Sequence, residues 1–168
     1  ADSTHLARVF RSHGARFDTT LKVPRCDVVV SCCVLSQLIG TLVTLLGANH
    51  PQSKELAVVL REAHLELLLE HTLPGGSLLF ISDMVSSDTA PELHDCPDVD
   101  LAKLRDELIG RHNYFHGTNP HLIERWFSAQ SSRAGRIERR PPWRWRFGER
   151  AFLVTALRVE RQGRATSE

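Results

Sequence analysis

The stretch CDVVVS at residues 26–31 and the stretch LLFISD at residues 78–83 are short apolar runs that each end in polar residues. Such runs, rich in Val, Ile and Leu, are typical of strands buried on both faces of a parallel sheet. The chain between them is long enough for a helical crossover, so the pattern predicts a parallel α/β unit. Sheets of this kind bind ligands beyond the carboxyl ends of their strands, which here are Ser31–Gln37 and Ser82–Met84.

Helical patterns account for most of the remaining chain. Apolar spacing predicts helices over Val34–Leu46 and Ser53–Thr72, with Glu and Arg on the wet face of the second. Two further helices are predicted over Leu101–Arg111 and Pro120–Ser131. Asn119 is the expected cap of the last one, because a short polar side chain before a proline suits a helix start.

The carboxyl-terminal region predicts an antiparallel hairpin. Aromatic and cationic residues alternate over Trp143–Phe147, Gly148–Arg150 form the turn, and Ala151–Glu160 are largely apolar. Alternation is expected when the Trp side chains pack inward and the Arg side chains face water. The mixture of charge and aromatic rings over Arg139–Arg146 also leaves open a contact with nucleic acid.

Length and composition favour a single α/β domain whose cysteines are reduced thiols. The chain has 168 residues and a formal charge of +1, with 10 Arg against 4 Glu in residues 133–168. Its four cysteines lack the spacing of a disulfide framework, and no run approaches the roughly 20 apolar residues of a membrane span. We expect a domain over 1–162, a flexible tail over 163–168, a cytoplasmic location and no membrane association.

In this order, the elements resemble the last two thirds of a class I S-adenosylmethionine-dependent methyltransferase. Residues 27–31 (DVVVS) with Val34 and Leu35 are similar to the family's fourth strand and the helix after it. Residues 73–76 (LPGG) are similar to the turn before its fifth strand, and the terminal hairpin closes the domain. The resemblance implies a Rossmann-like three-layer α/β sandwich with a mostly parallel sheet and a C-terminal antiparallel hairpin. It also implies an enzyme that uses S-adenosylmethionine as cofactor.

Two family features are absent from this sequence. The family's glycine-rich loop, which cradles the methionine end of the cofactor, has no counterpart, since Gly14 and Gly40 are far apart. The acidic residue that holds the ribose is also missing. The resemblance therefore implies a domain that is N-terminally incomplete, in which Asp2 matches the acidic position near the adenine.

The resemblance assigns roles to residues at the carboxyl ends of the two strands and in the insert after them. The expected catalytic residues are Asp83 and Gln37, the cofactor-binding residues are Asp2, Ser31 and Cys32, and the substrate-binding residues are Cys33, Tyr114 and His116. Each role has a structural alternative. Free cysteines are more often small buried fillers, which we favour for Cys32 and Cys33, and Asp83 is also suited to capping the following turn.

The histidines at 112 and 116 raise the question of a metal. A spacing of four places two side chains on one face of a helix, as a metal pair requires. Gly110 and Gly117 indicate that a helix is ending here, and no third ligand follows. A loop lining a substrate pocket is therefore expected, with no metal.

Two other classes of function remain open at this stage. One is a catalytically silent methyltransferase-like module for binding or assembly, associated with RNA through its arginine-rich end. The other is a nucleotide-binding α/β protein with a different cofactor, which the terminal hairpin fits less well. Neither the methyl acceptor nor the oligomeric state follows from the sequence.

Overall fold

A computed structural model describes residues 23–47 and 49–163. The strands are β1 (Cys26–Cys32), β2 (Thr72–Ser86), β3 (Ala134–Phe147) and β4 (Arg150–Arg161). The helices are α1 (Val34–Leu46), α2 (Ser53–His71), α3 (Leu101–Gly110) and α4 (Pro120–Ala129), with single 3-10 turns at Pro91–Leu93 and Asp98–Asp100. Within these ranges no helix has the length and apolar character needed to cross a membrane. Asp2 and nearly all of the expected tail lie outside the described residues.

The strands form one mixed sheet in the order β1-β2-β4-β3. Strands β1 and β2 are parallel, as the two apolar runs predict, whereas β4 is antiparallel to both β2 and β3. The expectation of a mostly parallel sheet is therefore wrong for the described chain. The physical reason is that it contains one crossover unit and a long hairpin, and a hairpin pairs its strands antiparallel.

The helices begin where their sequence signals predict. Helix α1 has the predicted bounds, and the other three end one or two residues before the predicted positions. At the start of α4, the Asn119 side chain accepts a hydrogen bond of 3.0 Å from the His121 backbone N–H. This bond satisfies one of the donors that a helix start leaves open.

The main core lies between one face of the sheet and three helices. The side chains of Leu78 and Phe80 lie on the face of β2 that the helices cover, and they pack against α1, α2 and α4. The buried helix residues of this core are Leu35, Ile39, Ala57, Leu65, Leu68, Ile123 and Phe127. A second cluster joins α3 to the far ends of β2 and β4 through Leu104, Leu108, Met84 and Leu153.

The opposite face of the sheet is uncovered within the described residues. Val28 and Val30 of β1 are 62% and 55% exposed. A shallow groove beside them is lined by further sheet residues, including Leu79, Ile81 and Ala156. The described chain thus forms two layers, and the three-layer Rossmann-like sandwich remains a prediction of the resemblance. Within these residues no strand pairs with the outer edge of β1.

The aromatic–arginine strand has the reverse of its predicted orientation. Trp143 and Trp145 are 37% and 47% exposed, whereas the Arg144 side chain is only 17% exposed. The Arg144 guanidinium donates to the carbonyl oxygens of Leu93 and Cys96 at 2.9 and 2.8 Å. The prediction that Trp packs inward is therefore wrong, because the loop before α3 presents carbonyl groups to this face of β3 and an arginine satisfies them.

Candidate functional site

A cleft lies at the carboxyl ends of β1 and β2, the location that parallel strands predict. Its volume is about 490 Å³, within the range of small-molecule sites. Its lining combines apolar, aromatic and polar side chains from α1, β2, β4 and the loop after α3. The lining residues are Ser36, Gln37, Ile39, Gly40, Val43, Asp83, Tyr114, Phe115, His116 and Phe152.

A β-bulge positions the loop that closes one side of this cleft. Pairing between β2 and β4 is irregular between Asp83 and Val85, so Met84 has no paired residue in β4. The Met84 carbonyl oxygen accepts hydrogen bonds from the Phe115 N–H at 2.8 Å and from the Thr118 hydroxyl at 3.4 Å. The bulge thus holds residues 114–116 beside Asp83, as bulges near functional sites commonly do.

The turn from β1 into α1 determines where the first turn of the helix lies relative to β2. Cys33 adopts a left-handed backbone with φ 53°, and its N–H donates to the Ile81 carbonyl oxygen at 2.9 Å. This turn brings the first turn of α1 to the end of β2, where the Ser36 hydroxyl donates to the Asp83 carboxylate. A carboxylate near a helix N-terminus is stabilised by the exposed N–H groups of the first turn.

Gly117 permits a close approach between the loop and α1. It has φ +78°, and a Cβ placed on it would lie 2.6 Å from the Cδ1 of Ile39. Any other residue would be strained in this backbone conformation and would also collide with a side chain of the cleft. The glycine that the sequence shows after His116 therefore sets how near the loop lies to the helix.

Four of the eight predicted site residues lie together in the cleft: Gln37, Asp83, Tyr114 and His116. Asp83 does not end its strand, since β2 continues to Ser86. Its carboxylate accepts from Ser36 rather than capping the next turn, so the capping alternative is not what the structure has.

The predicted cofactor and substrate residues next to β1 lie elsewhere. Ser31 is buried beneath the helices, 2.9 Å from the Nε2 of His64 in α2, so it is closed to a ligand at the cleft. Cys32 is exposed, which contradicts its interpretation as a buried filler. Cys33 is buried, as that interpretation expects, and it is not one of the residues that line the cleft.

Burial controls the ionisation of two groups near the site. Burial, together with the neighbouring Asp83 carboxylate, raises the pKa of the Cys33 thiol to about 12. Cys33 is therefore a neutral thiol at physiological pH and a poor nucleophile. Burial lowers the pKa of His64 to about 4, so the Ser31–His64 pair is neutral and structural.

Several lining residues were missed at the sequence level. Ser36, Ile39, Gly40 and Val43 have the spacing of one face of a helix. Since Gln37 is predicted to line the cleft from the start of this helix, that spacing could have indicated the other four residues. Phe152 had no such signal. It reaches the cleft through the pairing of β4 with the far end of β2, where it lies opposite Ser86.

The cleft can hold a small organic molecule by an apolar body and a polar end. Ile39, Val43 and the aromatic rings offer apolar contact, and Ser36, Gln37 and Asp83 offer hydrogen-bonding groups at one side. Over residues 23–47 and 49–163, no group of three or more His, Cys, Asp or Glu side chains is arranged to hold a metal ion. Comparisons with models of known protein families, with curated proteins and with solved structures find no match to this chain.

Proposed function

We propose that this chain is the carboxyl-terminal part of a class I S-adenosylmethionine-dependent methyltransferase domain. The observation that carries the proposal is the cleft, where four residues selected by the family resemblance lie together although they come from three separate segments of the chain. The cleft also lies beyond the carboxyl ends of two parallel strands, where α/β sheets bind their ligands.

The uncovered part of the sheet supports the same proposal. Among residues 23–47 and 49–163, no strand pairs with the outer edge of β1, and Val28 and Val30 are exposed. Such an apolar edge favours aggregation unless other structure covers it. An N-terminal segment of the natural polypeptide that adds strands beside β1 would cover both. That segment would supply the glycine-rich loop and the ribose-binding acid that this sequence lacks.

In this proposal the cleft orients the methyl acceptor. Methyl transfer requires mainly that a nucleophile and the sulfonium methyl group be held close and in line. Asp83 and the exposed Gln37 amide, which line the cleft, would hold the acceptor, and the loop at 114–116 would limit its entry. When bound, S-adenosylmethionine would supply the methyl group, and S-adenosylhomocysteine would leave.

The test is calorimetric titration of the natural polypeptide with S-adenosylhomocysteine, compared with this chain. We expect the natural polypeptide to bind and this chain to bind far more weakly or not at all. Gln37→Ala is expected to keep the melting temperature of the parent protein and to lower turnover. A natural polypeptide that is folded and does not bind S-adenosylhomocysteine would overturn the proposal.

One observation favours the alternative of a silent RNA-associated module. Trp143, Trp145 and Phe147 lie exposed on one face of β3, and exposed rings stack on unpaired bases. The nearby arginines, however, are engaged within the chain. Arg140 pairs with Glu138 at 3.3 Å, and Arg146 donates to the His94 carbonyl oxygen at 2.9 Å.

The two functions are separable by fluorescence anisotropy with a single-stranded RNA of mixed sequence. We expect weak binding that Trp145→Ala does not change. Binding that is at least tenfold weaker in Trp145→Ala, in a protein that does not bind S-adenosylhomocysteine, would favour the module.

A further inference from the structure

The Asp83 carboxylate is half-buried in the cleft and has only neutral partners within the described chain. The Ser36 hydroxyl donates to it, and the Cys33 thiol is its other side-chain neighbour. Within the described residues no Lys, Arg or His nitrogen lies within the 4.0 Å of an ion pair with this carboxylate. Among residues 23–47 and 49–163, this carboxylate therefore has hydrogen-bonding groups around it and no cationic partner.

Three aromatic side chains share the cleft with this carboxylate. Tyr114, Phe115 and Phe152 line the same cleft, and an aromatic face attracts a cation within about 6 Å. A carboxylate with three rings is the combination that holds an organic ammonium group, because charge attraction and cation–π contact act on the same atom. An anionic ligand would meet repulsion from Asp83, and a neutral one would gain from neither effect.

We propose that this cleft binds an organic amine with an apolar body and that this amine is the methyl acceptor. The second clause rests on the proposed function. The ammonium group would lie at Asp83, and the apolar body would lie between the rings and Ile39 and Val43 on α1. The volume of about 490 Å³ suits a molecule of this kind.

The transfer balances with Asp83 as the proton acceptor. The ammonium group of the amine first gives one proton to the Asp83 carboxylate. The freed nitrogen lone pair would then be able to accept the methyl group that S-adenosylmethionine would supply when bound, with the C–S bonding electrons leaving on sulfur. The products would be the methylated ammonium, S-adenosylhomocysteine and a protonated Asp83 carboxyl group, which returns its proton to water.

The test uses three probes that share an aromatic body and differ in charge: phenethylamine, phenethyl alcohol and 3-phenylpropionate. They are titrated into the natural polypeptide that contains these residues and therefore the cleft. We expect the amine to bind at least tenfold more tightly than the other two. Asp83→Asn should remove that preference, whereas the control Asp95→Asn, at an exposed loop position, should retain it.

A second measurement does not depend on a variant that folds. Backbone amide signals of the unmodified chain are recorded by NMR during the amine titration. Shifts concentrated at residues 36–43, 83 and 114–116 support the proposal. Equal affinity for the three probes, or amine-induced shifts confined to other parts of the chain, would overturn it.

Further titrations show whether the amine or the cofactor occupies the cleft, and they separate this proposal from the proposed function. In the natural polypeptide, saturation with S-adenosylhomocysteine should leave the amine affinity unchanged. Competition between the two would show that the cofactor itself occupies the cleft and would overturn the acceptor assignment. If the protein binds the cofactor and shows no preference for the amine, the amine site alone is refuted. If it prefers the amine and does not bind the cofactor, the proposed function is refuted and the amine site is retained.

Discussion

Replacing Arg144 by Ala tests the inverted orientation of the aromatic–arginine strand. Its Nη1 lies 2.8 to 3.2 Å from three carbonyl oxygens of the loop before α3, and its Nη2 donates to Asp98 at 3.0 Å. One nitrogen with two hydrogens forms at most two good bonds at a time, and a bond from a charged donor contributes about 1.5 kcal/mol or more. The Asp98 partner is 80% exposed, so that ion pair adds little.

Truncation of Arg144 should therefore cost about 3 kcal/mol of unfolding free energy. For a chain of this size that corresponds to a melting temperature lower by about 6–12 °C. Arg144→Lys should lose most of the same amount, because an ammonium group cannot reproduce the fork of a guanidinium. The assay is thermal unfolding followed by circular dichroism.

The matched control for Arg144 is Arg136→Ala on the same strand. The Arg136 side chain is 70% exposed and pairs with Glu138 at 2.9 Å, so its loss should change the melting temperature by about 1–2 °C at most. Equal losses for Arg144→Ala and Arg136→Ala would refute the reasoning. The loop before α3 would then not depend on an arginine directed inward.

Three further predictions concern packing, pH and thiol reactivity. A Cβ on Gly76 would lie 2.6 and 2.9 Å from two backbone carbonyl oxygens. Gly76→Ala should therefore lower the free energy of unfolding by about 1–3 kcal/mol in urea denaturation. The control Gly110→Ala has open space around it and should be neutral or stabilising. In the unfolded state, His64 takes up a proton below the ordinary histidine pKa of 6.5, whereas in the folded state its pKa is lowered to about 4. About 3 kcal/mol of unfolding free energy should therefore be lost as the pH falls from 6.5 to 4. His64→Gln should flatten that part of the pH profile, and an unchanged slope would contradict the assignment. In native protein, iodoacetamide should modify the exposed Cys32 and spare Cys33, because burial raises the pKa of the Cys33 thiol to about 12. The modification is measured by mass spectrometry, and equal modification of the two thiols would contradict the burial of Cys33 in the turn before α1.

The sequence could predict those elements whose signals are local. Helix α1 and the start of α4 follow from apolar spacing and from the Asn-Pro pair, and the parallel pairing of β1 with β2 follows from two apolar runs with helices between them. The burial of both runs on both faces is a wrong prediction for β1, which is largely exposed within the described residues. The positions of Gln37 and Asp83 in one cleft follow from the rule that parallel strands end at the same edge.

The missed features depend on contacts between distant residues. Alternation along β3 predicts that its two faces differ, but it does not say which face meets the loop carbonyls that bind Arg144. The unpaired Met84 has no local signal, because a bulge is defined by the partner strand. Ser31 has a strand-end position like that of a ligand contact, and only the packing of α2 shows that His64 covers it.

We propose above that this chain belongs to a cofactor-binding methyltransferase domain. The most direct measurement is the calorimetric titration of the natural polypeptide containing these residues with S-adenosylhomocysteine. We expect saturable binding with one molecule per chain, and much weaker binding or none by residues 1–168 alone. Absence of binding by the folded natural polypeptide would contradict it.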